Sequence, residues 1–202
     1  MPDVSPPSSL VRPIILGSTS RYRRELLQRL RLPFTAAAPL IDETPLPAEA
    51  PQQLAERLAL AKARAVAAVY PDAIVIGSDQ VCDLHGHALG KPGTHAKAVA
   101  QLQAMRGHSV VFHTALAVVC QHSGFCQSHT SRVTVQFRNL SDAEIERYLQ
   151  LDQPYDCAGS AKSESLGITL LDAIHSDDPT ALIGLPLIAT ARLLRQAGVP
   201  LP

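Results

Sequence analysis

Apolar runs and helical repeats follow one another along the chain in a strand–helix order. The run PIILG at 13–17 predicts a buried strand that ends at a glycine. In the next segment, 21–30, leucines recur on one helical face, and Ser20 stands where an N-cap residue is expected. The pattern then predicts a strand at 34–39 and, after a proline-rich stretch, a long helix over 51–70. This order is typical of an α/β fold.

The remainder of the chain continues this interleaving and adds two neighbouring strands. The pattern predicts strands at 73–77, 109–120, 126–137 and 168–172, and helices at 94–106, after the capping box 141–144, and at 186–197. The predicted hairpin over 109–137 indicates a mixed rather than a purely parallel sheet. We therefore expect an α/β fold, a long twisted mixed sheet flanked by helices. Residues 13–202 would form it as one domain or two closely fused lobes around a cleft, after a disordered leader at 1–12.

Composition narrows the class of protein. The 202 residues carry 18 Lys+Arg against 18 Asp+Glu, which argues against a basic nucleic-acid-binding face. Hydrophobic residues make up 46% and charged residues 18%, too apolar a mixture for a disordered chain. No apolar run approaches the roughly 20 residues that cross a bilayer, and the first residues lack the features of a signal peptide. Four cysteines without CxxC spacing are expected to be buried, reduced thiols of a cytoplasmic protein.

Hydroxyl and guanidinium groups cluster where the first predicted strand passes into the first helix. Ser18, Ser20, Arg23 and Arg24 lie within seven positions there. Backbone N–H groups and the helix dipole favour an anion at such a helix start, and these side chains add donors. The simpler interpretation is an N-cap with a solvated basic helix face.

Acids and lysines on separate elements extend this chemistry. Glu43 follows Asp42 in a proline-flanked stretch, and Asp79 is expected in a turn after the strand 73–77. Two carboxylates could hold Mg²⁺ together with phosphate oxygens. Lys62 lies in the apolar helix segment LALAKARA, and Lys91 lies between Gly and Pro. Each acid taken singly is more often a turn residue and each lysine a surface residue, but together they suit a polyphosphate.

Other nucleotide and metal motifs are absent from the sequence. It contains no Walker loop, no GxGxxG and no HExxH spacing. The pair His85 and His87 falls in a glycine-containing turn and is best explained as part of a surface hairpin.

The motifs together resemble the Maf family of nucleotide pyrophosphatases. The matching segments, in the family's order, are ILGSTSRYRRELL (15–27), IDETP (41–45), LAKARA (60–65), IGSDQV (76–81), GKP (90–92), AGSAKSE (158–164) and IGLPL (183–187). The resemblance implies a fold related to inosine-triphosphate pyrophosphatases and commonly a homodimer. It also implies hydrolysis of a nucleoside triphosphate to the monophosphate and pyrophosphate, dependent on a divalent cation such as Mg²⁺, Mn²⁺ or Co²⁺.

The resemblance also assigns roles to residues. It implies Asp79 as general base, Glu43 and Asp79 at the metal, and a phosphate-binding set formed by Ser18, Ser20, Arg23, Lys62 and Lys91. The sequence does not separate a metal ligand from a base at Asp79.

Three positions depart from the commonest family pattern. Many members have Arg where this chain has Tyr22, and ADT where it has Ser78-Asp79-Gln80. Tyr22, Gln80 and Glu164 together resemble the 7-methyl-GTP branch rather than the dTTP/UTP branch. An aromatic ring attracts the cationic 7-methylguanine, and a carboxylate accepts hydrogen bonds from guanine N1–H and N2.

Three alternatives stay open at this stage. The substrate could be dTTP or UTP, or the protein could chiefly bind nucleotides as a regulator of septum formation, a role to which the family was also linked. The ring of Tyr22 could also merely pack on the Leu26 side of its helix.

Overall fold

A computed structural model describes residues 12–202, so the predicted leader, apart from Arg12, lies outside the described residues. Within that range the chain alternates between strands and helices and closes with a helix. The strands are β1 Ile14–Leu16, β2 Thr35–Ala36, β3 Ile74–Leu84, β4 His87–Leu89, β5 Ser109–Cys120, β6 Phe125–Phe137 and β7 Leu171–His175. The helices are α1 Arg21–Gln28, α2 Pro51–Val69, α3 His95–Met105, α4 Asp142–Asp152 and α5 Leu187–Gln196.

The strands form one mixed sheet, in the order β2-β1-β3-β5-β6-β7 with β4 paired to β3. Strand β1 pairs in parallel with β2 and β3, whereas β3, β5, β6 and β7 pair antiparallel. The predicted fold, a mixed sheet flanked by helices in an α/β chain, is therefore confirmed.

Alternate residues of β3 face different helices. Ile74 and Ile76 pack in one core with leucines of α1 and α5, whereas Val75 and Val81 face α2. Because side chains alternate along a strand, Asp79 lies on the α2 face with Val75 and Val81. The sheet thus directs the acid of β3 toward the helix that carries Lys62.

The predicted turn at Asp79 is wrong. Strand β3 continues through Asp79 to Leu84, and its pairing with β5 is continuous from Val75↔Val119 to Asp83↔Val111. The glycine that was expected to end the strand has another role. A Cβ on Gly77 would lie 2.3 Å from the carbonyl oxygen of Ala59 in α2. Gly77 therefore lets helix α2 touch the strand rather than ending it.

Two further predicted strands differ from the structure. The predicted strand at 34–39 shrinks to Thr35–Ala36, because only its pairing with β1 holds it at the sheet edge. The predicted strand at 168–172 is a 3₁₀ helix, Leu166–Leu170, followed by β7. An apolar run of this length fits either state, and the pairing of β7 with β6 decides where the strand begins.

The cysteine prediction is half right. All four thiols are free; Cys82 and Cys120 are buried, but Cys126 is exposed and Cys157 is partly exposed. Among the described residues, no helix combines the length and the apolar character that a bilayer crossing requires.

Candidate active site

Lys62 joins two carboxylates from different parts of the chain. Its Nζ lies 2.6 Å from Oδ1 of Asp79 and 3.0 Å from Oε2 of Glu43. Lys62 and Asp79 are buried, with side chains 6% and 10% exposed, whereas the Glu43 side chain is 56% exposed. Such a buried cation requires opposite charge, and both acids supply it. The helix–strand contact at Gly77 holds Lys62 and Asp79 at this distance.

Ser18 and Arg23 form a second group at the start of α1. The Ser18 hydroxyl oxygen accepts hydrogen bonds from the backbone N–H of Ser20 (3.1 Å) and from the Arg23 guanidinium (3.4 Å). The predicted N-cap is confirmed, because the Ser20 side chain accepts from the Arg23 backbone N–H. Burial lowers the pKa of Arg23, and the negative charges of Asp79 and Glu43 counteract that shift. The guanidinium is linked to the strand that carries Asp79 through the Gly184 carbonyl, which accepts from both Arg23 and Ser78. Lys62, Asp79 and Glu43 are called the Lys62 group below.

Backbone carbonyls of residues 181–184, just before α5, accept hydrogen bonds from side chains of α1 and β3. The Gly184 carbonyl accepts from Arg23 Nε at 2.9 Å and from the buried Ser78 hydroxyl at 3.0 Å. Gln80 Nε2 donates to the Ala181 and Leu182 carbonyls at 3.0 and 2.9 Å. The Thr114 hydroxyl oxygen lies 2.9 Å from the same nitrogen, so three acceptors share its two N–H groups. The Gln80 amide oxygen makes no hydrogen bond with the described residues.

Tyr22 does not merely pack along its own helix. Its hydroxyl lies 3.3 Å from each carboxylate oxygen of Asp156 and accepts a 2.7 Å hydrogen bond from Arg21. The Cys157 thiol donates to the same hydroxyl at 3.6 Å. Tyr22 thus bridges α1 and the segment between α4 and the motif AGSAKSE, and it directly precedes Arg23 in the helix.

Glu164 is exposed and comes from the motif AGSAKSE. Partial burial raises the pKa of its carboxyl, while its own backbone N–H and Lys162 act in the opposite direction. The carboxylate of Glu25 in α1 also contributes to raising that pKa. Among the described residues, no hydrogen bond or ion pair joins Glu164 to Tyr22 or Gln80, so its role stays a prediction.

Lys91 is the predicted site residue that the structure leaves apart. It is exposed, and no hydrogen bond or ion pair joins its ammonium to the described residues. Its loop is nevertheless held from both sides. Gly90 accepts from the Gln101 side chain at 3.0 Å, and the Gly93 backbone N–H donates to the Tyr155 carbonyl at 3.0 Å. The structure shows an anchored loop with a free cation, and the role of Lys91 stays a prediction.

The arrangement suits a phosphate chain rather than an apolar ligand. Ser18, Arg23 and Lys62 offer hydroxyl, guanidinium and ammonium groups, and Asp79 and Glu43 converge on one cation position. Residues 12–202 contain no group of three or more His, Cys, Asp or Glu side chains placed to hold a metal ion. Two carboxylates completed by phosphate oxygens and water are nevertheless a donor set that Mg²⁺ accepts.

The two best-formed cavities of the described residues lie away from the Lys62 group. Two cavities of about 240 and 410 Å³ open beside the β5–β6 hairpin, around Gly124 and Phe125. Neither is lined by a residue of the Lys62 group, and the smaller one is largely apolar. We assign the site by the convergence of charged groups instead.

Comparison with known proteins agrees with the motifs. A family model described as Maf-like protein matches residues 13–197. The chain belongs to the Maf family.

Several curated relatives of this Maf-family chain are named 7-methyl-GTP pyrophosphatase. The one from Polaromonas sp. (strain JS666) is 68% identical over 190 residues, which cover 94% of this chain and 87% of the relative. The one from Albidiferax ferrireducens is 65% identical and covers 93% of this chain and 94% of the relative. A third, from Burkholderia pseudomallei, is 62% identical over 93% of this chain and 89% of the relative.

The structure adds supporting residues that the sequence reasoning did not single out. Asp178, 4% exposed, accepts hydrogen bonds from the N–H and hydroxyl of Thr180 and from the N–H of Ile188 in α5. The Thr180 hydroxyl oxygen in turn accepts from the Leu187 backbone N–H at 2.8 Å. This network fixes the segment that presents Gly184 to Arg23. The Maf-like motif IGLPL was its only signal in the sequence.

Proposed function

We propose that this Maf-family protein hydrolyses 7-methyl-GTP to 7-methyl-GMP and pyrophosphate. The observation that carries the proposal is the buried Lys62 held by Asp79 and Glu43 beside Arg23 and Ser18. Acidic and basic side chains lie close together here, and two of them, Lys62 and Asp79, are buried. Such a cluster suits cleavage of a phosphoanhydride bond. The names of the relatives at 62–68% identity support the choice of nucleotide.

In this mechanism Asp79 takes the proton of the attacking water. One of its oxygens, Oδ1, is engaged by Lys62, and its other oxygen makes no hydrogen bond with the described residues. That second oxygen is therefore available to a water placed for attack on the α-phosphorus. Pyrophosphate leaves, and Arg23, Lys62 and Lys91 offset the charge on the phosphate oxygens. Ser18, Ser20 and the N-terminus of α1 bind one end of the phosphate chain.

Glu43 and Asp79 would hold the divalent cation, Mg²⁺, Mn²⁺ or Co²⁺, that the family resemblance implies. The fit rests on their convergence on one cation, at 2.6 and 3.0 Å from the Lys62 ammonium. A bound divalent ion supplies charge stabilisation for the phosphate oxygens and the leaving pyrophosphate. Lys62, freed from the carboxylates, would then contact phosphate.

Tyr22, Gln80 and Glu164 would recognise the base. The fixed amide nitrogen of Gln80 leaves its oxygen to accept from guanine N–H groups. The Glu164 carboxylate accepts from guanine N1–H and N2, which uracil and thymine do not match. The ring of Tyr22 offers a face to a cationic purine.

A comparison of four nucleotides tests the proposal. Pyrophosphate release from 7-methyl-GTP, GTP, dTTP and UTP is measured at equal concentration with Mg²⁺, Mn²⁺ or Co²⁺ and after chelation. We expect 7-methyl-GTP to be fastest, activity to disappear with EDTA, and Asp79→Asn to lose at least about 100-fold in kcat. Faster hydrolysis of dTTP or UTP contradicts the substrate, and nucleotide binding without pyrophosphate release favours a regulatory binding protein instead.

Assembly and location are proposed on the family resemblance. We propose a cytoplasmic homodimer that acts on a free nucleotide and uses neither nucleic acid nor a membrane as partner. Light scattering coupled to size-exclusion chromatography tests the dimer, and a monomeric mass at micromolar concentration contradicts it.

A further inference from the structure

Two side chains of opposite charge, Arg21 and Asp156, contact Tyr22. The Arg21 guanidinium carbon lies 4.7 Å from the ring centroid, so this cation covers one face of the ring. The Asp156 carboxylate lies 3.3 Å from the phenol oxygen through both of its own oxygens, and Arg21 donates to the same phenol oxygen at 2.7 Å. The three side chains form a chain of contacts that joins α1 to the segment after α4.

Arg21 weakens the argument that Tyr22 alone selects a cationic base. A ring that already attracts one cation on its face has less electrostatic attraction left for a second. The guanidinium also repels a cationic purine directly, because like charges this close disfavour one another. Tyr22 with Arg21 and no further charge would therefore give 7-methylguanine little advantage over guanine.

Asp156 supplies the charge that reverses this balance. We propose that Asp156 is a specificity-determining residue, whose carboxylate offsets Arg21 at the ring of Tyr22 and favours a cationic purine over a neutral one. The inference rests on the proposed function, since it assumes that the base binds beside Tyr22. Asp156 and Arg21 are both exposed, and no ion pair within 4.0 Å joins them, so each acts on the base through space.

The contacts also explain why this carboxylate remains beside the ring. The phenol of Tyr22 donates to Asp156, while Arg21 donates to the same phenol oxygen at 2.7 Å. Tyr22 thus holds both charged groups at its phenol oxygen. Burial raises the pKa of Tyr22, with Arg21 acting against that shift, so the phenol keeps its proton and remains the donor.

The expected size of the effect follows from solvent exposure. Two unit charges about one ring width apart at a solvent-exposed site attract or repel each other weakly. The interaction changes a binding constant or a ratio of rates by about three- to tenfold. Salt screens this interaction. We therefore expect the ratio of kcat/KM for 7-methyl-GTP to kcat/KM for GTP to depend on Asp156 by about three- to tenfold at low ionic strength, and by less at 0.5 M salt.

Two variants of opposite sign test the proposal. Asp156→Asn keeps an acceptor for the Tyr22 phenol and removes only the charge, so we expect the 7-methyl-GTP to GTP ratio to fall three- to tenfold. Arg21→Gln removes the opposing charge and should raise the ratio. The double variant should return toward the ratio of the unmodified protein, because the two charges are lost together. Asp172→Asn, at an exposed carboxylate of β7, serves as the matched control and should leave the ratio unchanged.

The outcomes separate this inference from the proposed function. If the unmodified protein does not prefer 7-methyl-GTP, the proposed function has failed. If it does, but Asp156→Asn lowers kcat/KM equally for both nucleotides or leaves their ratio unchanged, Asp156 has only a structural role and the inference is overturned. A ratio that falls equally at low and high salt overturns it as well, since a charge effect must be screened.

Discussion

Replacement of Lys62 by methionine should destabilise the protein strongly, mainly because the buried Asp79 carboxylate loses its cation. Lys62 is 6% exposed in its side chain and its closest partner, Asp79, is 10% exposed. Methionine fills a similar volume but leaves the Asp79 carboxylate buried without its cation. Breaking a buried ion pair on one side costs about 3 kcal/mol or more.

The two partners of Lys62 should not contribute equally. The Glu43 side chain is 56% exposed, so water and salt screen its ion pair, which adds about 1 kcal/mol or less. We therefore expect Lys62→Met to lower the free energy of unfolding by about 3 kcal/mol. For a chain of this length that corresponds to a fall in Tm of about 6–12 °C.

Urea denaturation of four variants tests this reasoning. Asp79→Asn removes the charge that Lys62 neutralises, so the double variant should be less destabilised than the sum of its two single changes by about 2 kcal/mol. Lys97→Met, at an exposed position of α3, should change stability by about 0.5 kcal/mol or less. A loss below about 0.5 kcal/mol for Lys62→Met, or strict additivity with Asp79→Asn, would refute the reasoning.

Three further predictions concern the elements that hold the site. Gly77→Ala should lower the free energy of unfolding by about 3 kcal/mol or more, because its Cβ would lie 2.3 Å from a backbone carbonyl of α2. Gly90→Ala is the control, since its Cβ meets nothing within 4 Å. Equal urea midpoints for the two variants would contradict this prediction. Asp178→Ala removes the buried acceptor shared by the Thr180 N–H and hydroxyl and the Ile188 N–H, so it should cost about 1–3 kcal/mol and raise KM; an unchanged KM would show that the Gly184 segment does not depend on it. Hydrogen bonds from the backbone and side chain of Ser141 and from Arg138 lower the pKa of Glu144 from 4.5 to about 2, so its carboxylate stabilises the fold above about pH 4.5 and that contribution is lost as the pH falls toward 2. Glu144→Gln should therefore lower the urea midpoint at pH 7 and match the unmodified protein near pH 2; a pH-independent difference would contradict the assignment.

The sequence by itself determined most of the element types and the inventory of reactive side chains. Local rules suffice where the cause is local: Ser20 caps α1, Ser141 and Glu144 form the capping box of α4, and the apolar spacing of 51–70 produces α2. The family motifs likewise contained every acid and base of the predicted site, although neither Asp156 nor Asp178. None of these conclusions required knowledge of which elements touch.

The tertiary structure alone decided how those residues meet. Asp79 lies inside β3 rather than in a turn because twelve-residue β5 pairs along it, and Gly77 serves the contact with α2. Arg21 covers the Tyr22 ring and Asp156 accepts from its phenol, although Tyr22 and Asp156 lie 134 positions apart. Lys91 lies apart from the Lys62 group, on a loop that the Gln101 side chain and the Tyr155 carbonyl hold in place. Contacts between residues far apart in sequence depend on sheet register and helix packing, which no local pattern of side chains encodes.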